Sequence, residues 1–266
     1  MHKYIKVFNV SWQNEFTYRL NFILWRIRNL LRFLMTYFLW SGIFIGQRQI
    51  FGYSQEQIIT YVFLVLIVQT FVTSAPSQDN IGGEIANGDL SNYLLKPVSY
   101  IKYWFTRDLA SKLFNLFFAV FEITLLWLIF RPAVFFPAQV LSIAGFFLSV
   151  TAAVFINYFL SLVARFVTFW TPENTWGIAF VVLVLIEILG GGIFPLDVLP
   201  KPAFFALQLT PFPYLVYFPI AIFVGKVTGL YLIQVLLQSY VWVFMLYWVM
   251  MKIWQVGLKV YGSEGR

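Results

Sequence analysis

The chain lacks cysteine and contains little histidine and little charge. Its 266 residues include no cysteine and one histidine, His2, so disulfides, thiolate metal sites and paired-histidine zinc motifs are excluded. Charged residues make up 11% of the chain and hydrophobic residues 61%, whereas about a quarter of an ordinary soluble domain is charged. So little charge cannot cover a surface that faces water. We therefore expect residues 1–266 to form a single membrane domain.

Nucleotide-binding and catalytic motifs are also missing. The pair Gly225-Lys226 comes nearest to a phosphate-binding Gly-x-x-x-x-Gly-Lys-Ser/Thr loop, but Ile220 replaces the first glycine and Val227 replaces the hydroxyl residue. The sequence shows no arrangement of nucleophile, base and orienting group. We therefore expect no catalytic residue, no metal ligand and no cofactor-binding residue, and we do not expect this chain to be an enzyme.

Six stretches are long and apolar enough to cross a bilayer, which takes roughly 17 to 25 helical residues. They predict an all-α bundle with spans at Leu30–Gly46, Gln57–Ser74, Leu109–Phe130, Ala138–Val163, Trp176–Phe194 and Leu230–Met251. An even number of spans puts both termini on one side. That side holds 14 of the 18 Lys and Arg residues, which predicts cytoplasmic termini in a bacterial inner membrane. The net charge of +7 reflects this topology, and we expect no nucleic-acid partner.

The segment before the first span is amphipathic. Apolar side chains recur at helical spacing at Ile5, Phe8, Trp12, Phe16 and Leu20. This pattern predicts a helix over residues 1–21 that lies in the membrane interface. The helix either anchors the chain or has a mechanical role. Three arginines follow it, and we expect them to snorkel toward the lipid headgroups: Arg26, Arg28 and Arg32.

The longest cytoplasmic loop covers residues 75–108. Asp79 or Asn80 is a candidate N-cap of a short helix, Gly88 a candidate end, and Pro97 prevents further continuation. An apolar face then follows at Leu90, Leu94 and Leu95. These leucines either dock into the groove of a partner protein or fold back onto the ends of the second and third spans.

The longest external segment covers residues 195–229. Six prolines forbid one continuous helix there: Pro195, Pro200, Pro202, Pro211, Pro213 and Pro219. The segment is nevertheless too aromatic for a solvated loop. Broken backbone near lipid is tolerated where it packs on protein or lines a cavity, so we expect an external re-entrant hairpin. It is either a gate above a translocation path or a structural lid.

Two acids fall inside predicted spans, Glu122 in the third and Glu187 in the fifth. Each must face protein or water, because a charge at mid-membrane costs a few kcal/mol. One interpretation is a proton or substrate site. The other, which we favour, is a hydrogen bond to a polar residue of a neighbouring helix, such as Asn157, Tyr158 or Ser161. The sequence suggests no basic partner for either acid within the spans, so we do not expect an ion-coupled relay.

Three parts of the sequence together resemble one family. The cytoplasmic loop is similar to the Glu-x-x-x-Gly-x-Leu-x-x-x-Leu-Leu-x-Pro signature of the ABC type-2 transporter permeases, with Glu84, Gly88, Leu90, Leu94, Leu95 and Pro97 at the signature positions. The external segment resembles the family's Gly-x-x-Phe-Pro, Leu-Pro and Pro elements at Gly191, Gly192, Phe194, Pro195, Leu199, Pro200 and Pro211. The tract 254–263 resembles the ending of one branch of the family.

The resemblance implies a membrane-spanning permease of an ATP-driven exporter. Its loop from Glu84 through Asp89 to Pro97 is then the coupling helix that docks on separate ATP-binding cassette subunits, which hold the ATP and magnesium. A second permease, identical or related, completes a path between the first, second and fifth spans within membrane lipid. The acids Asp79, Glu84 and Asp89 suggest a basic patch on the ATPase. The alternatives are a non-transporting membrane anchor or assembly factor and an ion-driven secondary transporter.

Overall fold

The protein is a helical bundle with one short β-hairpin, which we call the β-turn. The computed structural model describes residues 2–17, 19–77 and 79–262. Within these ranges the helices are α1 (His2–Thr17), α2 (Arg19–Ile43), α3 (Gln55–Thr73), α4 (Ile81–Ala86), α5 (Ser91–Leu94), α6 (Tyr100–Phe130), α7 (Val140–Phe166), α8 (Gly177–Leu189), α9 (Lys201–Gln208), α10 (Tyr217–Phe223) and α11 (Gly229–Val260). The strands β1 (Gln49–Ile50) and β2 (Tyr53–Ser54) pair antiparallel.

In the part of the chain that the structure describes, four helices are long and apolar enough to cross a membrane: α3, α6, α7 and α11. They correspond to the second, third, fourth and sixth predicted spans. The first predicted span begins earlier than expected, at Arg19 instead of Leu30, so α2 contains Arg26, Arg28 and Arg32. The third also begins earlier, because α6 starts at Tyr100.

The fifth predicted span, Trp176–Phe194, is wrong in length. The helix there, α8, has 13 residues and is about 20 Å long, which is shorter than a hydrocarbon core of about 30 Å. It ends at Leu189 because three glycines follow, and Gly191 adopts a φ of 83° that favours glycine. The chain therefore leaves the helical path inside the bundle.

The N-terminal helix packs against α6 through aromatic side chains. The rings of Trp12 and Phe16 contact Phe114 edge to face, at centroid distances of 5.3 and 4.9 Å. The helix ends at Thr17, and Arg19–Asn21 belong to α2, so the predicted segment 1–21 is shorter than expected. Its location in the membrane interface stays a prediction.

The external segment re-enters the bundle, as the prolines and aromatic residues predicted. It is divided into a 3-10 turn (Leu196–Val198), α9, a second 3-10 turn (Phe212–Tyr214) and α10. The side chains of residues 214–218 and of Ile220, Ala221 and Ile222 are buried. They contact α3 and α7 in the main core. A second core at the other end of the bundle contains Ile81, Ile85, Leu90, Trp104 and Phe166.

Candidate functional site

An ion pair joins α2 to α8. The Nη1 group of Arg32 donates to Oε2 of Glu187, and Nε2 of Gln69 on α3 donates to Oε1 of the same carboxylate over 3.2 Å. Glu187 therefore holds together three helices that are far apart in sequence. We expect a hydrogen bond from a polar residue of a neighbouring helix, and Gln69 supplies one in place of the candidates Asn157, Tyr158 and Ser161. The ion pair with Arg32 is an additional contact that the sequence did not predict.

A second ion pair joins α2 to α6. Arg26 faces Glu122, with Nε 2.6 Å from Oε1 and Nη2 2.6 Å from Oε2. Arg26 and Glu122 retain only 8% and 19% of their side-chain exposure. Arg26 and Arg32 therefore do not snorkel, contrary to our expectation. They are neutralised inside the bundle by the two acids for which the sequence suggested no basic partner.

The predicted gate glycines lie beside the Arg32–Glu187 pair. The carbonyl of Gly191 accepts a hydrogen bond from the hydroxyl of Tyr61 over 2.6 Å. A Cβ atom added at Gly192 would lie 2.6 Å from Oε1 of Gln69 and 2.9 Å from Nη2 of Arg32. Gly192 is thus the residue that leaves room for the polar cluster of Arg32, Gln69 and Glu187.

The other predicted gate residues form the frame of the re-entrant segment. Pro195 and Pro211 immediately precede the two 3-10 turns, and Pro200 caps α9. Phe194 packs against the main core. The hydroxyl of Tyr53 in β2 donates to both carboxylate oxygens of Asp197 over 2.8 and 2.9 Å. This contact, which the sequence analysis missed, fastens the segment to the β-turn.

The cluster of Arg32, Gln69 and Glu187 borders a cavity of about 560 Å³. The walls of the cavity come from α1, α2, α3, α6, α7, α8 and the start of the cytoplasmic loop. They combine arginine, acidic and amide side chains with aromatic rings, including Arg28, Asn157, Ser161, Trp25, Trp176 and Phe180. A cavity of this size is typical of small-molecule sites. It lies between the three helices that the family resemblance assigns to the path.

The loop 75–108, which we expect to be cytoplasmic, is organised around Glu84. Its carboxylate accepts hydrogen bonds from Tyr93 over 3.1 Å, Tyr100 over 2.6 Å and the indole of Trp104 over 3.2 Å. Burial, and then the negative charge of Glu84, raise the pKa of Tyr93 well above its usual range, so the hydroxyl stays protonated and donates. Asp79 is paired with Arg165. Two of the three acids that we expected to face a partner are therefore engaged internally, and Asp89 alone of the three is exposed.

The three leucines of this loop divide between the two orientations that the sequence left open. Leu90 is fully buried in the second core. Leu94 and Leu95 are exposed by 48% and 86%. Gly88, with a φ of 82°, turns the chain between α4 and α5, and the exposed Pro97 accepts a hydrogen bond from Lys3 through its carbonyl. Leu94 and Leu95 thus form an exposed apolar pair on a loop that is fixed by buried contacts such as those of Leu90.

Buried polar contacts connect the base of the loop to the spans. The ammonium group of Lys112 on α6 donates to the carbonyls of Val72 and Ser74 over 2.9 and 2.7 Å. It also lies 3.1 Å from Asp108 one turn earlier. Lys112 therefore ties the end of α3 to α6. The spacing of Asp108 and Lys112 was the only signal in the sequence for this contact.

The C-terminal tract contributes to the same region. The hydroxyl of Tyr261 accepts a hydrogen bond from the backbone N–H of Ser91 over 3.1 Å. The ring of Trp254 stacks on Tyr100 at a centroid distance of 5.4 Å. The end of α11 thus supports the loop. Residues 263–266 of the chain lie outside the described residues.

Comparison with known proteins identifies the family. A family model described as ABC-2 family transporter protein matches residues 30–265. No curated protein and no solved structure shows significant similarity to the chain. The match begins within α2 and continues through α11, so it includes the cytoplasmic loop, most of the cavity-lining residues and the re-entrant segment. The chain belongs to the ABC-2 transporter family and is a multi-pass membrane permease.

Proposed function

We propose that the protein is the permease subunit of an ATP-driven exporter. Separate ATP-binding cassette subunits would hydrolyse ATP with magnesium, and this chain itself would bind no nucleotide. Both termini and the loop 75–108 would lie in the cytoplasm of a bacterial inner membrane. A second permease, identical or related, would complete the path between α2, α3 and α8 within membrane lipid.

The observation that supports this proposal most is the outward apolar pair on the cytoplasmic loop. Leu94 and Leu95 are exposed, whereas the neighbouring Leu90 is buried and Glu84 is held by three donors. An exposed leucine pair on a rigid support fits the groove of a partner protein. Asp89 is exposed beside them and would add electrostatic selectivity. The docking surface therefore consists of Asp89, Leu94 and Leu95, with Glu84, Gly88, Leu90 and Pro97 as its support.

Coupling requires that docking differs between two states of the permease. The loop is joined to α3 and α6 through Lys112 and to α7 through the Asp79–Arg165 pair. Movement of the docked loop would therefore pull on the helices that form the cavity wall. At the far end, the cluster of Arg32, Gln69 and Glu187 beside Gly192 would open or close the path toward the re-entrant segment, with Gly191, Phe194, Pro195, Pro200 and Pro211 forming the frame of that gate.

A pull-down in mild detergent tests the docking proposal. The tagged protein, expressed with its native neighbouring genes, should recover an ATPase, and Leu94→Asp should reduce the recovery by at least tenfold. Asn92→Asp adds the same charge to the same short helix without removing a large apolar side chain, and it should recover at least half the wild-type amount. Both sites are exposed, so unfolding temperatures should match the wild type. Recovery of no ATPase by the wild type would favour the membrane-anchor or ion-driven alternative.

A further inference from the structure

Arg28 is a cation on the cavity wall for which the described part of the chain supplies no paired carboxylate. Its guanidinium lies 4.0 Å from the ring centroid of Trp25. The charged groups that act on it are Glu187 and Arg32, and Glu187 is already paired with Arg32. Two arginines thus share one acid. A guanidinium on a cavity wall without a carboxylate of its own favours an additional anion.

The other acids around the cavity do not provide that anion. Asp79 is paired with Arg165, and Asp108 with Lys112. The two oxygens of Glu15 are occupied by the backbone N–H and the hydroxyl of Ser77. The excess positive charge is therefore local to Arg28 and Arg32, which lie four residues apart and so on the same side of α2.

The chemistry of these two side chains selects the anion. Guanidinium groups present paired N–H donors that match the oxygens of phosphates and carboxylates. Arg32 uses Nη1 for Glu187, while its buried Nη2 has no hydrogen-bond partner in the described structure. Arg28 is exposed and has its donors available toward the cavity. An incoming anion would bind the guanidinium group of Arg28 first, and the positive charge of Arg32 would also attract it.

The rest of the wall indicates what is attached to that anion. The lining includes seven large aromatic side chains: Phe22, Trp25, Phe33, Trp104, Tyr158, Trp176 and Phe180. Such rings bind an apolar body and are poorly suited to a small, fully hydrated ion. We propose that the cavity binds an amphiphile with one phosphate or carboxylate group, the anion at Arg28 and Arg32 and the apolar body on the aromatic wall. The inference rests on the proposed permease function and names its substrate class.

A binding measurement tests this proposal without ATP or an ATPase. The full-length chain in phosphatidylcholine nanodiscs is equilibrated with radiolabelled dodecyl phosphate, and binding to empty nanodiscs is subtracted. We expect saturable binding that weakens at least tenfold in Arg28→Gln and is largely retained in Arg28→Lys. The control Arg48→Gln makes the same change of charge at an exposed site away from the cavity, and it should bind as the wild type does.

Three further probes define the ligand. Neither inorganic phosphate nor dodecyltrimethylammonium should displace dodecyl phosphate at the same concentration, because one lacks the apolar body and the other has the wrong charge. Adding phosphatidylglycerol to the nanodiscs separates the sources of the amphiphile. Competition that depends on Arg28 would identify a bilayer lipid, and lack of competition would identify an amphiphile that enters from water.

Several results would overturn the proposal. These are the absence of saturable binding by the wild type, equal binding by Arg28→Gln, or equal displacement by the ammonium probe. Displacement by inorganic phosphate alone would show a small-anion site instead. Equal binding by Arg28→Gln would also be expected if Arg28 paired with a second permease. Because no ATPase is involved, failure here would leave the pull-down result unaffected, and failure of the pull-down would leave the binding result unaffected.

Discussion

The two arginine–glutamate pairs on α2 have the same chemistry but different surroundings. Arg26 and Glu122 retain 8% and 19% of their side-chain exposure, whereas Arg32 and Glu187 retain 26% and 29%. The first pair lies between aromatic contacts of α2 and α6, with Phe22 and Phe118 at 4.8 Å on one side. The second lies on the wall of the cavity.

The difference in surroundings indicates that the Arg26–Glu122 pair is fixed and that the Arg32–Glu187 pair is able to break. At the α2–α6 contact, rings at both ends support the ion pair, including Tyr37 and Phe130 at 4.7 Å. Near the second pair, the indole of Trp40 on α2 donates a 3.4 Å hydrogen bond to the carbonyl of Ile193, which lies beyond the end of α8. We infer that the first pair fastens α2 to its neighbour and that the second is the contact a moving path would break.

The largest expected effect is on stability, from removing one partner of the fixed pair. Arg26→Leu leaves the carboxylate of Glu122 buried without its cation, which should lower the free energy of unfolding by about 3–5 kcal/mol. Arg32→Leu leaves Glu187 more exposed and still bonded to Gln69, so we expect a loss of about 1–2 kcal/mol. Equilibrium unfolding in mixed dodecyl maltoside and dodecyl sulfate measures both. Equal losses would remove the distinction between the two pairs.

The next largest expected effect is on the access of external reagents to the cavity when both members of an ion pair are replaced. Replacing both members of a buried pair by apolar residues is often nearly neutral for stability. The chain has no cysteine, so Ser161→Cys in the cavity wall is a clean reporter. With the external side as proposed above, Arg32→Leu with Glu187→Leu should raise labelling by an external, membrane-impermeant maleimide several-fold.

The matched double replacement at the fixed pair provides the control. Arg26→Leu with Glu122→Leu should leave the labelling of Ser161→Cys unchanged, since that pair does not border the cavity. The parent protein without cysteine gives the background. A rise in labelling with both double replacements would indicate a general loosening of α2, and no rise with either would argue against a gate at Arg32 and Glu187.

The membrane spans themselves were the part that the sequence predicted well. α3, α7 and α11 are long apolar runs, and such runs have few alternatives to crossing lipid. The early start of α6 was missed because Tyr100 to Asp108 is mixed in polarity. Part of this stretch is covered by α4, with Trp104 buried and bonded to Glu84. A hydropathy profile does not show which polar residues are buried by a neighbouring segment.

The ion pairs were missed for a different reason. Arg26 is 96 residues from Glu122, and Arg32 is 155 residues from Glu187. No spacing rule connects residues so far apart, and a span taken to begin at Leu30 placed Arg26 outside the membrane and Arg32 at its edge. The costly acids were the available signal, since each required a partner. The orientation of Leu90, inward, and of Leu94, outward, likewise depended on the turn at Gly88 and not on the leucine pattern.

The smallest expected effect concerns the space beside the second pair. Gly192→Ala would place a Cβ atom 2.6 Å from Oε1 of Gln69 and 2.9 Å from Nη2 of Arg32. Both atoms are at the ends of flexible side chains that can shift, so the cost should be near the low end for overpacking, about 1 kcal/mol. The same substitution at Gly42 on α2 meets no atom within 4 Å. It should stabilise the helix by about 0.5–1 kcal/mol, because alanine loses less conformational freedom than glycine. An unfolding midpoint that falls in Gly192→Ala and rises in Gly42→Ala would support tight packing of Arg32 and Gln69 around Gly192. A rise in both variants would show that a methyl group fits beside this cluster.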